Sequence, residues 1–216
     1  VLFPEKLKYT LPLSAISMAP LNSKVAGTLL VVGGTQFIIA LAIAEALYPG
    51  YSTANNYISD LGVWGNPSAA VFNPSIIFLG ITTLVASVYL KRYFHLGKGF
   101  YIYAVGGLGS LGVGLFPENT FVVSGIPILH DLFAILAFVF GGAAALFTYR
   151  LAKSPFRYIS LILGTISLVA FAVFLGTSSS GSVGLGAGGL ERLVAYPTTL
   201  GLISFGGYLL AIDTEH

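Results

Sequence analysis

Six apolar stretches, joined by short connections that alternate between basic and non-basic, constrain this chain more than any motif does. They run approximately Val25–Leu47, Ala70–Leu90, Gly99–Phe116, Ile126–Tyr149, Pro155–Gly176 and Glu191–Ile212. A helix needs about 20 mostly apolar residues to cross a hydrocarbon layer ~30 Å thick. The repeated two-residue alternation of a lipid-facing barrel is missing. The expected fold class is therefore all-α, a six-helix transmembrane bundle. Lys6, Lys8, Lys24, Lys91, Arg92, Lys98, Arg150, Lys153 and Arg157 all fall on one side of that arrangement, and only Arg192 falls on the other. Because basic residues are retained on the cytoplasmic side, both termini are expected inside, with connections one, three and five facing outward from the cell membrane.

Only 8% of the 216 residues are charged, against roughly 25% in a typical soluble domain. The net charge of +2 is small and segregated, so a nucleic-acid surface is not expected. The absence of cysteine excludes disulfides, thiolate catalysis and thiolate metal sites. Residues 25–212 form one membrane domain on this reading, followed by a tail at 213–216. Residues 1–24 are expected to lie at the cytoplasmic interface, because the apolar run from Leu7 to Leu21 is interrupted by Pro12 and Pro20. They lack the pattern of a cleavable signal peptide. Small residues spaced four apart, Gly106, Ser110 and Gly114 in the third stretch and Gly141 and Ala145 in the fourth, allow close helix approach. That approach is either within the chain or to other membrane subunits. The glycine-rich run Gly181–Gly189 reads as a flexible outer loop, since it lacks the lysine and the strand-to-helix context of a phosphate loop. No internal repeat supports an inverted-repeat transporter.

With this orientation the polar residues gather at the outer ends of the spans. The first outer connection carries Asn55, Ser59 and Asp60, and the second span opens with Asn73. Glu118 lies in the second outer connection, His130 and Asp131 in the first turns of the fourth span, and Glu191, Arg192 and Tyr196 at the start of the sixth. Ionisable groups at such depth are costly unless paired or wetted. Neighbours on a helix point about 100° apart, so His130 and Asp131 cannot both aim at one point. Pro197 removes one backbone bond in the sixth span, a common origin of kinks beside membrane cavities.

The segments Asn-Tyr-Ile-Ser-Asp-Leu-Gly (56–62), Phe72-Asn73, Phe116-Pro117-Glu118, His130 and Gly-Gly-Leu-Glu-Arg-Leu-Val-Ala-Tyr-Pro (188–197) together resemble the domain-of-unknown-function 998 family. The resemblance covers roughly Val25 to Ile212. It implies a multipass membrane protein of archaeal or bacterial type with an outer polar cluster, and it carries no established activity.

Two readings of that cluster follow. In the first, Asp60, Glu118, His130, Asp131, Glu191 and Arg192 converge on an outward-open cavity, with Asn55, Ser59, Asn73 and Tyr196 supplying neutral hydrogen bonds. His130 would be the base, Asp60 or Glu191 its orienting partner, and Arg192 the holder of an anion. The ligand would be a polar-headed lipid or a small anionic compound. In the second, the same residues form a closed electrostatic lock, Arg192 pairing with Asp60 or Glu118 and His130 bonding a loop carbonyl, within a non-catalytic subunit of a larger complex. A serine hydrolase built on Ser59 and His130 would need Asp60 or Glu118 as its acid. One outer histidine among carboxylates suits zinc poorly, and no cofactor signature is present.

Overall fold

The computed structural model describes residues 13–177 and 184–212, giving the backbone alone for residues 13–20. Its helices are α1 (Leu13–Leu47), α2 (Ala69–Tyr93), α3 (Phe100–Leu115), α4 (Ile128–Leu151), α5 (Phe156–Thr177) and α6 (Gly186–Ala211). A 3-10 turn, Ser59–Gly62, interrupts the α1–α2 connection, and a two-stranded hairpin, β1 (Val122–Val123) and β2 (Ile126–Pro127), precedes α4. Five helices are long and apolar enough to cross a membrane, while α3 is apolar but shorter.

Each helix packs antiparallel against its neighbours in sequence, and α6 closes the ring against α1. Small residues set the spacing. A Cβ on Gly80 would meet the backbone of Gly107 and Leu111 in α3, and one on Gly109 would meet the backbone of Ala137 in α4. Gly27 and Gly206 bring α1 onto α6 in the same way. The glycine faces seen in the sequence are thus occupied within the chain, where lipid offers no hydrophobic drive and close packing must supply the attraction.

Charge is sorted between the two ends. Among the described residues, Glu45, Asp60, Glu118, Asp131 and Glu191 lie at the end formed by the α1–α2 and α3–α4 connections, and every Lys and Arg except Arg192 lies at the other. At the basic end Lys24 Nζ donates to the carbonyls of Leu210 and Ile212, joining the start of the first span to the end of α6. Gln36, the main polar residue at mid-depth, donates to the Ser75 carbonyl across α1–α2.

Several boundaries differ from the sequence reading. Helix α1 starts at Leu13 and runs on through Pro20, since one lost backbone bond does not end a helix that continues on both sides. Residues 1–12 and the tail 213–216 lie outside the described residues. Helix α4 starts at Ile128, because residues 122–127 are spent on the hairpin. Part of the glycine-rich run is helical: α6 begins at Gly186, which places Glu191 and Arg192 in its second turn rather than at its opening. Tyr101 is exposed, as an interfacial tyrosine should be, but Tyr103 is fully buried, bonded to Thr148 and stacked on Phe205.

Candidate functional site: a cleft between α4 and α5

The α1–α2 connection is pinned into the bundle before any charge is considered. Ile58, which caps the 3-10 turn, and Leu61 within it are buried with Phe37, Leu41 and Phe72. This holds Ser59 inward, while Asp60 Oδ2 accepts from Asn56 Nδ2 and the Tyr57 backbone N–H and keeps the turn in shape. The second connection is short of membrane surface for a different reason. At 1.5 Å per residue α3 spans only about 24 Å, and Pro117 stops it after Leu115. The Phe116 carbonyl and Glu118 are therefore carried down to the level of the first turns of α4.

Glu191 and Arg192 divide the polar residues into two groups, because adjacent positions on α6 face different ways. Arg192 turns toward α1. Its Nη2 bonds Glu45 Oε1 and the Tyr51 hydroxyl, each at 2.6 Å, and its Nη1 donates to the carbonyls of Thr53, Asn56 and Gly188. Only Nε lacks an acceptor, and it is buried. Tyr51 passes the connection on by donating to the Tyr57 carbonyl. Burial pushes the Tyr51 phenol up to about 12, against the opposing pull of Arg192, so it stays protonated. Arg192 is thus a clamp on the first connection, paired with Glu45 rather than with Asp60 or Glu118, and it is not free to hold an anion.

Glu191 turns the other way, and its Oε2 accepts the Ile58 backbone N–H. It lies with Ser59, Glu118 and His130 at the inner wall of a cleft of about 360 Å³. The outer wall is apolar: Ile135 and Phe138 from α4, Phe171, Phe174 and Leu175 from α5. Tyr57 closes one side, its ring edge-on to Phe174 at 5.8 Å. Behind the inner wall a second cavity of about 80 Å³ runs down the bundle axis as far as Tyr103 and Ala144, and Ser59, His130 and Glu191 line it as well.

His130 is buried, and its Nδ1 lies 3.0 Å from the Phe116 carbonyl. A carbonyl can only accept, so Nδ1 carries a hydrogen, and Nε2 is turned to the second connection. That nitrogen lies 3.6 Å from Glu118 Oε1. Ser59 in turn hydrogen-bonds Glu118. The carboxyl therefore sits between the serine and the histidine, which is not the Ser–His–acid order of a serine hydrolase. Burial pushes the Glu118 carboxyl above its usual range, with Asp60 and Asp131 adding to the rise and Ser59 and His130 opposing it.

A measurable pH dependence follows. A carboxyl whose value is raised on folding contributes stability below its unfolded value of about 4.3 and loses it as pH rises through the folded one. The thermal midpoint of the wild type should therefore fall relative to that of Glu118→Gln as pH rises across this window. A midpoint difference that stays constant with pH contradicts this.

The other residues expected at the site are dispersed. Asp131 is exposed at the cleft mouth, and Asp60 holds the turn beside the cleft rather than lining it. Asn55 is exposed on the first connection. Asn73 is buried beneath it, donating to the Gly62 carbonyl. Tyr196 faces a separate groove with Ile38, Leu41 and Glu45. Pro197 lies inside α6, where Ser167 and Thr198 both donate to the Val194 carbonyl one turn earlier. Sequence reasoning missed Tyr51, Tyr57 and Glu45. The signal for Glu45 was present, since a lone carboxylate near the end of an apolar span demands a cation. Among the described residues no group of three or more His, Asp and Glu is placed to hold a metal ion.

No curated protein and no solved structure matches the chain. A family model described as "Protein of unknown function (DUF998)" matches residues 31–207. Spanning most of the chain, and with it every element of the clamp and of the cleft, that match makes the protein a member of the DUF998 family.

Proposed function

We propose that this bundle binds an amphiphile drawn from the surrounding leaflet, with the headgroup against Ser59, Glu118, His130 and Glu191 and the chain between α4 and α5. The observation that carries this reading is the position of the polar groups. They form the inner wall of a cleft whose outer wall is Ile135, Phe138, Phe171, Phe174 and Leu175. Ile135 and Leu175 are also exposed on the outside of the bundle, where a spanning helix meets lipid. A cleft of 360 Å³ is within the ~300–1,000 Å³ range of ordinary ligand pockets.

Charge selects among headgroups. With Arg192 committed to Glu45, the groups left at the cleft are the carboxyls of Glu118 and Glu191, that of Asp131 at the mouth, one imidazole, and the hydroxyls of Ser59 and Tyr57. These match an amine or a hydroxyl-bearing headgroup and mismatch a phosphate or sulfate. Chemistry on the headgroup is available to the same pair: His130 Nε2 and Glu118 can take a proton from a hydroxyl or ammonium and return it. By the retention of basic residues on the cytoplasmic side, the basic end faces the cytoplasm and the cleft opens to the outer leaflet of the cell membrane.

Binding of three amphiphiles with one common chain, bearing an amine, a glucoside or a sulfate head, tests the proposal on protein held in lipid nanodiscs. The amine should bind at least about tenfold more tightly than the sulfate, a difference of ~1.4 kcal/mol. Glu118→Gln should reduce that preference and leave glucoside binding in place. Absence of saturable binding for all three contradicts the reading.

A further inference from the structure

We infer that the β1–β2 hairpin is a membrane anchor, inserted into the leaflet at the acidic end of the bundle, and that it carries the tether between Glu118 and His130. Phe121, Val122, Val123 and Ile126 are all more than 45% exposed, although the segment from Thr120 to Leu129 contains no charged residue. The strands pair Val122 with Pro127 and Val123 with Ile126. Ser124 and Gly125 turn the chain with φ of +52° and +82°. Two consecutive residues of positive φ make the tight turn whose twist suits a two-residue hairpin, so the shape is specified by the sequence.

An isolated two-stranded hairpin is marginal in water, and this one presents its apolar side chains outward. What covers them is indicated by continuity. The apolar surface of the hairpin runs directly into Ile128, Leu132 and Ile135, the exposed face of α4, and α4 is long and apolar enough to span. An apolar stripe, bordered on one side by the exposed Asp131 at the cleft mouth, therefore extends from the hairpin tip onto a helix face that meets lipid. The first connection differs: its tip carries Ser52, Asn55 and Asn56. Beside the hairpin stands Trp64, exposed, whose backbone N–H and carbonyl exchange hydrogen bonds with the Asn119 side chain. An indole at that level is the usual interfacial anchor.

The position bears on the cleft. Glu118 precedes the hairpin and His130 follows it, and the two side chains meet at 3.6 Å. The depth at which the hairpin sits in the leaflet thus helps set the approach of the two groups.

Fluorescence quenching tests this directly, because the chain has one tryptophan. In a Trp64→Phe background, Val123→Trp should be quenched by phosphatidylcholine brominated in its acyl chains and protected from aqueous iodide. Asn55→Trp in the same background should show the reverse. Quenching of the Val123→Trp protein by iodide, without quenching by brominated lipid, places the hairpin in water and overturns the inference. Protection from both quenchers means that protein covers it, and overturns the inference equally. None of these outcomes depends on whether the cleft binds a ligand.

Discussion

Arg192→Ala is expected to lower the unfolding free energy by about 3–5 kcal/mol, the cost of breaking a buried ion pair from one side. The guanidinium serves five acceptors at once, and the change leaves Glu45 as a carboxylate near the end of a membrane span with no cation. It also strips the donor from the carbonyls of Thr53 and Asn56, which lie in the connection that carries Ser59. Arg192→Lys should recover only part of the loss, because one ammonium cannot reproduce the planar fork. Denaturant titration in a mild detergent measures both variants. A loss below about 1 kcal/mol for Arg192→Ala would mean that the pair behaves as a surface salt bridge, and the clamp would then carry little of the stability of this end.

Gly188→Ala is expected to be the second costly change, by about 2–3 kcal/mol, combining overpacking with loss of one hydrogen bond. Gly188 lies in the first turns of α6, where a Cβ would overlap the carbonyls of Asn56 and Thr53. Its backbone N–H donates to the Ala54 carbonyl at 2.9 Å. The first connection therefore rests directly on the backbone of α6, and only a residue without a side chain permits it. Because Gly188 and Arg192 hold the same segment, their effects should not add, and the double variant should lose less than the sum of the two. Full additivity would show that the two contacts act independently. The readout is the same denaturant titration, with chymotryptic cleavage at Tyr51 and Tyr57 in the first connection as a local probe.

The number and order of the helices were legible from the sequence because apolar length and basic-residue placement are the two quantities a bilayer selects on. The start of α6 was not. Gly186–Gly189 carry no apolar pattern, and they become helical because the first connection packs against their bare backbone, a tertiary effect invisible in local composition. The second strand of the hairpin, Ile126–Pro127, was absorbed into the fourth span for the opposite reason: Ile126 is as apolar as the helix that follows. At the site the inventory of residues was readable, since ionisable groups in a chain this apolar stand out. Their partners were not. Arg192 was expected to face Asp60 or Glu118, but the one-residue offset from Glu191 turns it toward Glu45, and that rotation reverses the charge presented to a ligand. The apolar wall of Phe138, Phe171 and Phe174 could not be read at all, because aromatic residues within a span fill cores and line clefts with the same spacing.

Photolabelling in a native-like membrane probes the cleft between α4 and α5 without any substitution in the protein. A long-chain amine carrying a diazirine near its headgroup, activated in nanodiscs and mapped by peptide mass spectrometry, should place most of its label on residues 134–138 of α4 and 171–175 of α5. An excess of unlabelled amine should displace it from those positions. Label spread evenly over the outer faces of all six helices, and unaffected by competitor, would contradict the existence of a binding cleft there.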